Sequence, residues 1–417
     1  MGTTFVLKNT RVTRSKIFKK NTNFANFRGI LRNFRTVFYK MNVVSLFSNI
    51  GIGEAYLKSL GFNVVVANEL EPRRAEIYRQ IYPETEMICG DITDSRVYSS
   101  IAKASSKQKI DVIMATPPCQ GMSTAGKQKK LDERNDLFLY AVKLIKEIKP
   151  DYFIFENVPG FMTTSIQYKD EICSIPDVIK SLLRTAYSMS FNIIDAQDFG
   201  VPQSRSRMIL LGTRRKVTKK WTMPESEPNV KTLEDAIGDL PIVDPFIYDI
   251  PEDEMLKFFP KYKEREKAAL KISPWHVPPH HILRQVITMQ HTKTGCSAFD
   301  NVKYKPRKKN GEVVKGFHNT YSRQRWDTPA YTIAMSNNQI STQNSVHPGR
   351  YIGKDSNGDN IYSDPRVFTV YELMRIMSIP DDWPIPTTVS KQYLRHIIGE
   401  GVPSLLIKKI FSQIQNG

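Results

Sequence analysis

The chain has 417 residues, is 40% apolar, and carries 60 Lys or Arg against 42 Asp or Glu, a net charge of +18. That length suits two domains, or one large α/β domain with an insertion, and the positive charge suits a polyanionic partner. No apolar run approaches the ~18 residues of a membrane helix, and four scattered cysteines (Cys89, Cys119, Cys173, Cys296) exclude a disulfide framework or a zinc spacing and favour a reducing compartment.

Much of the charge is local. Residues 1–40 hold ten Lys or Arg and no acid, which leaves +8 for the remaining 377 residues. Three readings of this arm stay open: a basic arm on nucleic acid, an Arg-rich targeting peptide, or a non-native extension ahead of Met41. In each case residues 1–41 are set apart as a basic N-terminal extension.

Val43–Phe47 reads as a first parallel strand running into Ser48-Asn-Ile-Gly-Ile-Gly53, then a helix from Glu54 to about Ser59. A strand feeding a glycine-containing turn and a helix start is how nucleotide-like ligands are gripped. The next strand, Asn63–Asn68, ends in Glu69, placed to bind ribose hydroxyls. A helix over Pro72–Ile81 follows, then a strand ending in Gly90-Asp91-Ile92, where the acid can accept from an adenine amine. The fourth strand, within Ile110–Ala115, runs into Thr116-Pro-Pro-Cys-Gln120. Two prolines cannot continue a ladder, so the chain leaves the sheet and sets Cys119 beyond a carboxyl strand end, as a nucleophile or as a buried structural thiol. The loop from Ser123 to Lys130 is small, polar and basic, as suits a lid over a charged substrate.

An amphipathic helix over Leu137–Lys149 precedes the strand Tyr152–Phe155, which delivers Glu156-Asn-Val. A glutamate after four apolar residues is placed to act as an acid, or to be salt-bridged at a loop. A helix near Ile175–Thr185 and a strand Phe191–Asp195 follow. In Gly200–Gly212 the residues Gln203, Arg205 and Arg207 alternate onto one strand face, offering polar groups to an anionic or base-like ligand. From about 215 to 320 the chain is polar, Pro-rich and irregular apart from a short helix near Thr232–Pro241. Residues 255–320 hold fourteen Lys or Arg against four acids, and Trp275, His276, His280, His281 and Lys303–Lys309 suggest a basic, aromatic-interleaved surface for nucleic acid. No ligand spacing accompanies those histidines, and no metal is expected. Beyond Thr320 the sequence is regular again, with a helix over Phe368–Met377 and a closing helix over Ser404–Gln413.

Pro-Pro-Cys-Gln, Glu-Asn-Val and Gln-x-Arg-x-Arg, in this order, resemble the DNA (cytosine-5) methyltransferase family over roughly residues 42–414. The resemblance implies an α/β, Rossmann-like S-adenosylmethionine-dependent methyltransferase fold with a mixed, mostly parallel sheet. It implies a catalytic core over 42–214, a smaller irregular target-recognition region over 215–345, and a segment 346–417 returning to the core. It implies a cofactor site of Phe47, Ser48, Asn49, Ile50, Gly51, Glu69, Leu70, Asp91, Ile92, Pro118, Glu400 and Val402, with S-adenosylhomocysteine as the product. Where the family's first motif reads Phe-x-Gly-x-Gly-Gly, this chain has Asn49 and Ile52; where its last reads Gly-Asn-x-Val, the chain has Gly399-Glu400-Gly401-Val402.

The implied chemistry needs a soft nucleophile at C6 of cytosine, Cys119, with Glu156 at N3, Arg207 at O2, and Arg205 holding the nucleophile in place. Duplex DNA is the implied substrate, with the base flipped out. Gln120, Ser123, Lys127, Lys129, Arg134, Gln203, Arg323, Arg325 and Thr332 are its expected contacts. A monomeric modification enzyme of prokaryotic type, cytoplasmic and nucleoid-associated, with a companion restriction endonuclease, completes the expectation. Two readings remain beside it: the tRNA-directed branch, whose Cys-Phe-Thr signature the sequence lacks, and an inactive DNA-binding regulator, against which Cys119 and Glu156 both stand.

Overall fold

Short apolar runs buried on both sides build the central sheet, as expected where helices cover both faces. The computed structural model describes residues 41–118 and 133–415, without the side chains of Glu133 and Arg134. In chain order the strands are β1 (Met41–Leu46), β2 (Phe62–Glu69), β3 (Glu86–Cys89), β4 (Val112–Ala115) and β5 (Tyr152–Asn157). An outlying hairpin of β6 (Ser165–Tyr168) and β7 (Glu171–Ser174) follows, then β8 (Tyr187–Asp195) and β9 (Ser206–Arg214). The seven-stranded sheet has the order β3-β2-β1-β4-β5-β9-β8. The first five strands run parallel, while β9 is antiparallel to both β5 and β8. Strand order reverses between β1 and β4, and ligands of open α/β sheets collect at such a switch point.

The period of two decides which side chain meets which layer. In β4, Ile113 and Ala115 join Phe153 and Phe155 under helices α2 (Ser95–Ser105), α3 (Phe138–Ile148) and α4 (Ile175–Leu183). Val112 and Met114 face the other way, toward α1 (Pro72–Ile81) and the C-terminal helix α11 (Ser404–Ser412). Phe411 of α11 packs edge-on against Phe62 of β2, ring centroids 5.0 Å apart.

Three expectations need correction. No α-helix covers 54–59. Tight i→i+3 bonds run from Glu54 N to Gly51 O and from Leu57 N to Glu54 O, and only a 3₁₀ turn, Lys58–Leu60, follows. The buried Glu54 carboxylate, gripped by Ser45 Oγ at 2.5 Å and by the Tyr78 hydroxyl, fixes this turn. Second, residues 215–320 are more regular than their composition suggests, with α5 (Leu233–Ile237), α6 (Glu252–Phe258), α7 (Tyr262–Ile272) and α8 (Leu283–Gln290). Each buries only a few side chains, Met255 alone in α6, so no apolar stripe registers. Third, Trp275, His276 and His281 belong to no surface; all three are buried, while His280 and the basic residues of the run 303–309 are exposed as expected. His276 Nδ1 lies 2.9 Å from Thr369 Oγ1, and His281 Nε2 accepts from Val367 N at 3.2 Å.

Two further C-terminal helices, α9 (Val370–Ile376) and α10 (Lys391–Glu400), join a third cluster with Ile50, Ile52, Leu233 and Ala330. At the start of α9, Thr369 and Glu372 form a capping box. Glu372 and Asp364 both grip the fully buried Arg366 guanidinium, at 2.8 and 2.7 Å. Burial alone would push the Glu372 carboxyl up; the Arg366 charge outweighs it and holds the group well below the carboxylate range.

Candidate active site

The carboxyl ends of β1, β2, β4 and β5 converge. From β1 the chain turns through Phe47 (φ 60°), Asn49 (φ 53°) and Gly51 (φ 84°), an alternation of left-handed residues that coils the backbone into a cradle. Asn49 supports its own turn, its Oδ1 accepting from Ile50 N at 2.7 Å. Ser48 Oγ donates to Ser45 O at 2.9 Å, tying the turn to the strand beneath it. Gly51 cannot carry a side chain, because a Cβ would lie 2.2 Å from the Tyr82 ring.

Glu69 at the end of β2 receives Asn49 N on one oxygen at 2.9 Å and Glu71 N on the other at 3.0 Å. Burial pushes its carboxyl up, opposed by these two amides and by the charge of Arg74. Beside it Leu70 is 62% exposed, an apolar side chain left open to the cradle's mouth. Beyond β3, Ile92 is buried while Asp91 is exposed, its Oδ1 accepting from Thr93 N at 2.8 Å. From the other end of the chain, Glu400 and Val402 lie on either side of Gly401, and Gly401 is packed against Ile52, to whose Cδ1 a Cβ would approach within 2.7 Å.

The second half of the site lies across β4, β5 and β9. Thr116 Oγ1 donates to Phe47 O at 3.0 Å, joining the turn after β4 to the cradle. Asn157 Nδ2 donates to Pro117 O at 2.9 Å, while Asn157 Oδ1 accepts from Val158 N. That asparagine, unremarked beside Glu156 in the sequence, pins the proline turn, and Pro118 follows half-buried. Glu156, 7% exposed, sits at the sheet's carboxyl edge with its Oε1 2.8 Å from Arg207 Nε. Arg207 is the only one of the three alternating polar residues within β9; Gln203 and Arg205 precede it.

Those two are buried and brace the molecule. Gln203 Oε1 accepts from Ile333 N, and its Nε2 meets Met377 Sδ. Arg205 donates to Ile333 O (3.1 Å), Gly399 O (3.0 Å) and Gly401 O (2.9 Å), so it joins three distant chain segments. Arg323, expected on DNA, is 2% exposed and spends its guanidinium on the carbonyls of Met289, His347 and Asp364. Burial lowers it to about 9. Its placement is that of an internal brace, because a guanidinium buried among carbonyls that take four of its five donors does not reach a phosphate. Arg325 is exposed and paired with Asp327, and Thr332 is exposed with its Oγ1 donating to Ser204 O. Cys119, Gln120, Ser123, Lys127 and Lys129 lie outside the described residues, as does the side chain of Arg134.

Comparison with known proteins places this geometry. The model of the C-5 cytosine-specific DNA methylase family matches residues 41–416. The chain is 39% identical over 387 residues to the type II methyltransferase M1.HgaI of Avibacterium volantium, covering 90% of this chain and 99% of that one. It is 29% identical to M.DdeI of Desulfomicrobium norvegicum, covering 90% and 88%. The fold matches the Entamoeba histolytica methyltransferase EhMeth with a TM-score of 0.54 at 15% identity, over 90% of this chain and 98% of that one.

The cradle fits the family's cofactor. Its positive-φ turn admits a ligand close to the backbone, Glu69 offers a carboxylate, and the open Leu70 offers an apolar surface to a base. From the match across residues 41–416 and the near-complete overlap with a curated relative, the chain belongs to the C-5 cytosine-specific DNA methylase family, enzymes that transfer a methyl group from S-adenosylmethionine to C5 of cytosine in DNA.

Proposed function

We propose that this enzyme acts on a cytosine flipped out of a specific duplex sequence, through a covalent bond between Cys119 and C6 of the base. One observation carries the reading. The Glu156–Arg207 pair lies at the carboxyl edge of the sheet, and the adjacent residue, Asn157, pins the turn that leads into Cys119. Acid and cation thus lie beside the turn, described as far as Pro118, that Cys119 follows in the sequence.

Cytosine C5 is a weak nucleophile until the 5,6 double bond is broken. Attack of the Cys119 thiolate at C6 pushes electron density toward C5 and onto N3 and O2. Glu156 donates a proton toward N3, and Arg207 offers its guanidinium to O2. S-adenosylmethionine supplies an electrophilic methyl carbon on its sulfonium. Once C5 is methylated, loss of its proton to a base from solvent and return of the N3 proton to Glu156 expel the Cys119 thiolate and restore the ring. Phe47, Ser48, Asn49, Ile50, Gly51, Glu69, Leu70, Asp91, Ile92, Pro118, Glu400 and Val402 are assigned to the cofactor. Arg205 keeps the site closed by bridging the core to residues 333 and 399–401. The loop from Ser123 to Lys129 closes on DNA phosphates with Gln120 and Arg134, and Arg325 and Thr332 face the duplex from the recognition region 215–345. Gln203 supports that face from within.

The relatives' names, type II methyltransferases, support a modification enzyme; a companion restriction endonuclease, a monomeric state and work on nucleoid DNA in the cytoplasm are part of the proposal. Among the described residues no helix is long and apolar enough to cross a membrane. The test is transfer of labelled methyl groups to duplex DNA and to tRNA side by side, followed by bisulfite sequencing. Label at one DNA context is expected; label only in tRNA overturns the DNA assignment. Cys119→Ser should abolish transfer and retain DNA binding, and persistent turnover would remove Cys119 from its role.

A further inference from the structure

We propose that Arg74 and Glu400 form a charge clasp that positions the cofactor cradle and sets cofactor affinity without entering the chemistry. The proposal rests on the assignment of Glu69 and residues 47–51 to S-adenosylmethionine.

Arg74 lies in the first turn of α1, and Glu400 is the last residue of α10. Their side chains are only 20% and 19% exposed, and Arg74 Nη2 lies 2.6 Å from Glu400 Oε2. A second tie runs alongside. Glu71, the N-cap of α1, accepts from the Tyr393 hydroxyl, and the Arg73 guanidinium lies 3.9 Å over the Tyr393 ring. Glu71 N in turn donates to Glu69, and Glu69 holds Asn49 N. A continuous chain of contacts therefore leads from α10, through the first turn of α1, to the carboxylate and backbone of the cradle.

The position of Glu400 is not adjustable. A Cβ at Gly399 would lie 2.5 Å from Ala334 O, and one at Gly401 would lie 2.7 Å from Ile52 Cδ1. Backbone on both sides is packed tight, so the carboxylate between is presented at a fixed point. Two departures from the family pattern meet their complements here. Ile52 stands in place of glycine and fills the room that Gly401 leaves. Glu400 stands in place of asparagine and meets Arg74.

The charge balance explains why the partner must be a cation. An acid at position 400 adds a second carboxylate to a mouth that already holds Glu69, and like charges at this depth repel. Arg74 faces both: the charges of Glu400 and Glu69 raise it against the lowering effect of its burial. The second oxygen of Glu400 lies 3.3 Å from His396 Nε2, a weaker and more exposed partner.

The test is a double-mutant cycle on equilibrium binding of S-adenosylhomocysteine by titration calorimetry, with steady-state kinetics alongside. Glu400→Gln should weaken binding and raise the KM for S-adenosylmethionine by about tenfold, equivalent to ~1.4 kcal/mol. Arg74→Met should cost more, because it leaves two carboxylates without their cation. Adding Glu400→Gln to Arg74→Met should then recover part of the affinity. Further loss, or no change, in that second step overturns the clasp, since a stranded Glu400 carboxylate is then not what weakens binding. Glu69→Gln is the control. If it binds the product as tightly as the wild type, the cradle assignment fails; if it loses binding while the cycle shows no coupling, only the clasp fails.

Discussion

Glu156, at the end of β5, and Glu54, in the turn after the cradle, are both buried carboxylates, and their neighbours give them different work. Glu156 meets a guanidinium, and Glu54 meets only hydroxyls, from Ser45 and Tyr78. Glu156→Gln keeps a hydrogen-bond acceptor for Arg207 and removes the proton donor. It should lower kcat by about two orders of magnitude and leave the unfolding midpoint near the wild-type value. For Glu54, burial lifts the carboxyl to about 7, against 4.5 for the free group. A raised acid costs nothing below pH 4.5, where both states are protonated. The cost grows as pH rises toward 7, where the unfolded chain ionises more easily, and is complete above 7. Wild type should therefore lose stability relative to Glu54→Gln across that window, by about 3 kcal/mol. Urea titrations at pH 4.5, 6 and 7.5 measure the difference, and a flat difference would show that Glu54 stays ionised in the folded protein.

At the level of elements, the parallel strands were legible because each is an apolar run with a polar or proline stop; β2 and α1 fall within a residue of their expected limits. The turn at 51–57 was not legible. Its geometry comes from Ser45 and Tyr78 gripping Glu54, contacts made across the sheet and not within the segment. The hairpin β6–β7 was likewise missed, since it buries only Ile166, and so was α10, whose apolar side chains pack among residues far along the chain such as Ile50 and Ile52. The site was half legible: Glu69 and Glu156 announce themselves by position at the ends of apolar strands and Arg207 by its alternation with Gln203 and Arg205, while Asn157 and Arg74 work through contacts with residues that the sequence does not place beside them. Arg323 and Arg325 show the limit, since two residues apart one is buried and one exposed. The element that depends most on charge is α9. Arg366→Met would strand Asp364 and Glu372 in the interior and should cost about 3–5 kcal/mol, read as a fall in the urea midpoint. Replacing all three by apolar residues should recover much of that loss.

For the whole molecule, the excess of cations matters more than their individual positions. Ten of them fall in residues 1–40. Removing this arm should leave the methylated sequence unchanged and flatten the dependence of DNA affinity on salt, because fewer counterions are released on binding. A changed methylation context in bisulfite sequencing would show that the arm reads bases.

The bridge from Arg205 to the carbonyls of Gly399 and Gly401 spans nearly half the sequence, and α11 lies beneath the first two strands. During translation the sheet therefore waits, with one of its faces uncovered, for α11 to leave the ribosome. A polypeptide released short of residue 399 lacks the acceptors for Arg205 and the wall behind Ile52. Chains cut between α10 and α11 should therefore show no methyl transfer from labelled S-adenosylmethionine.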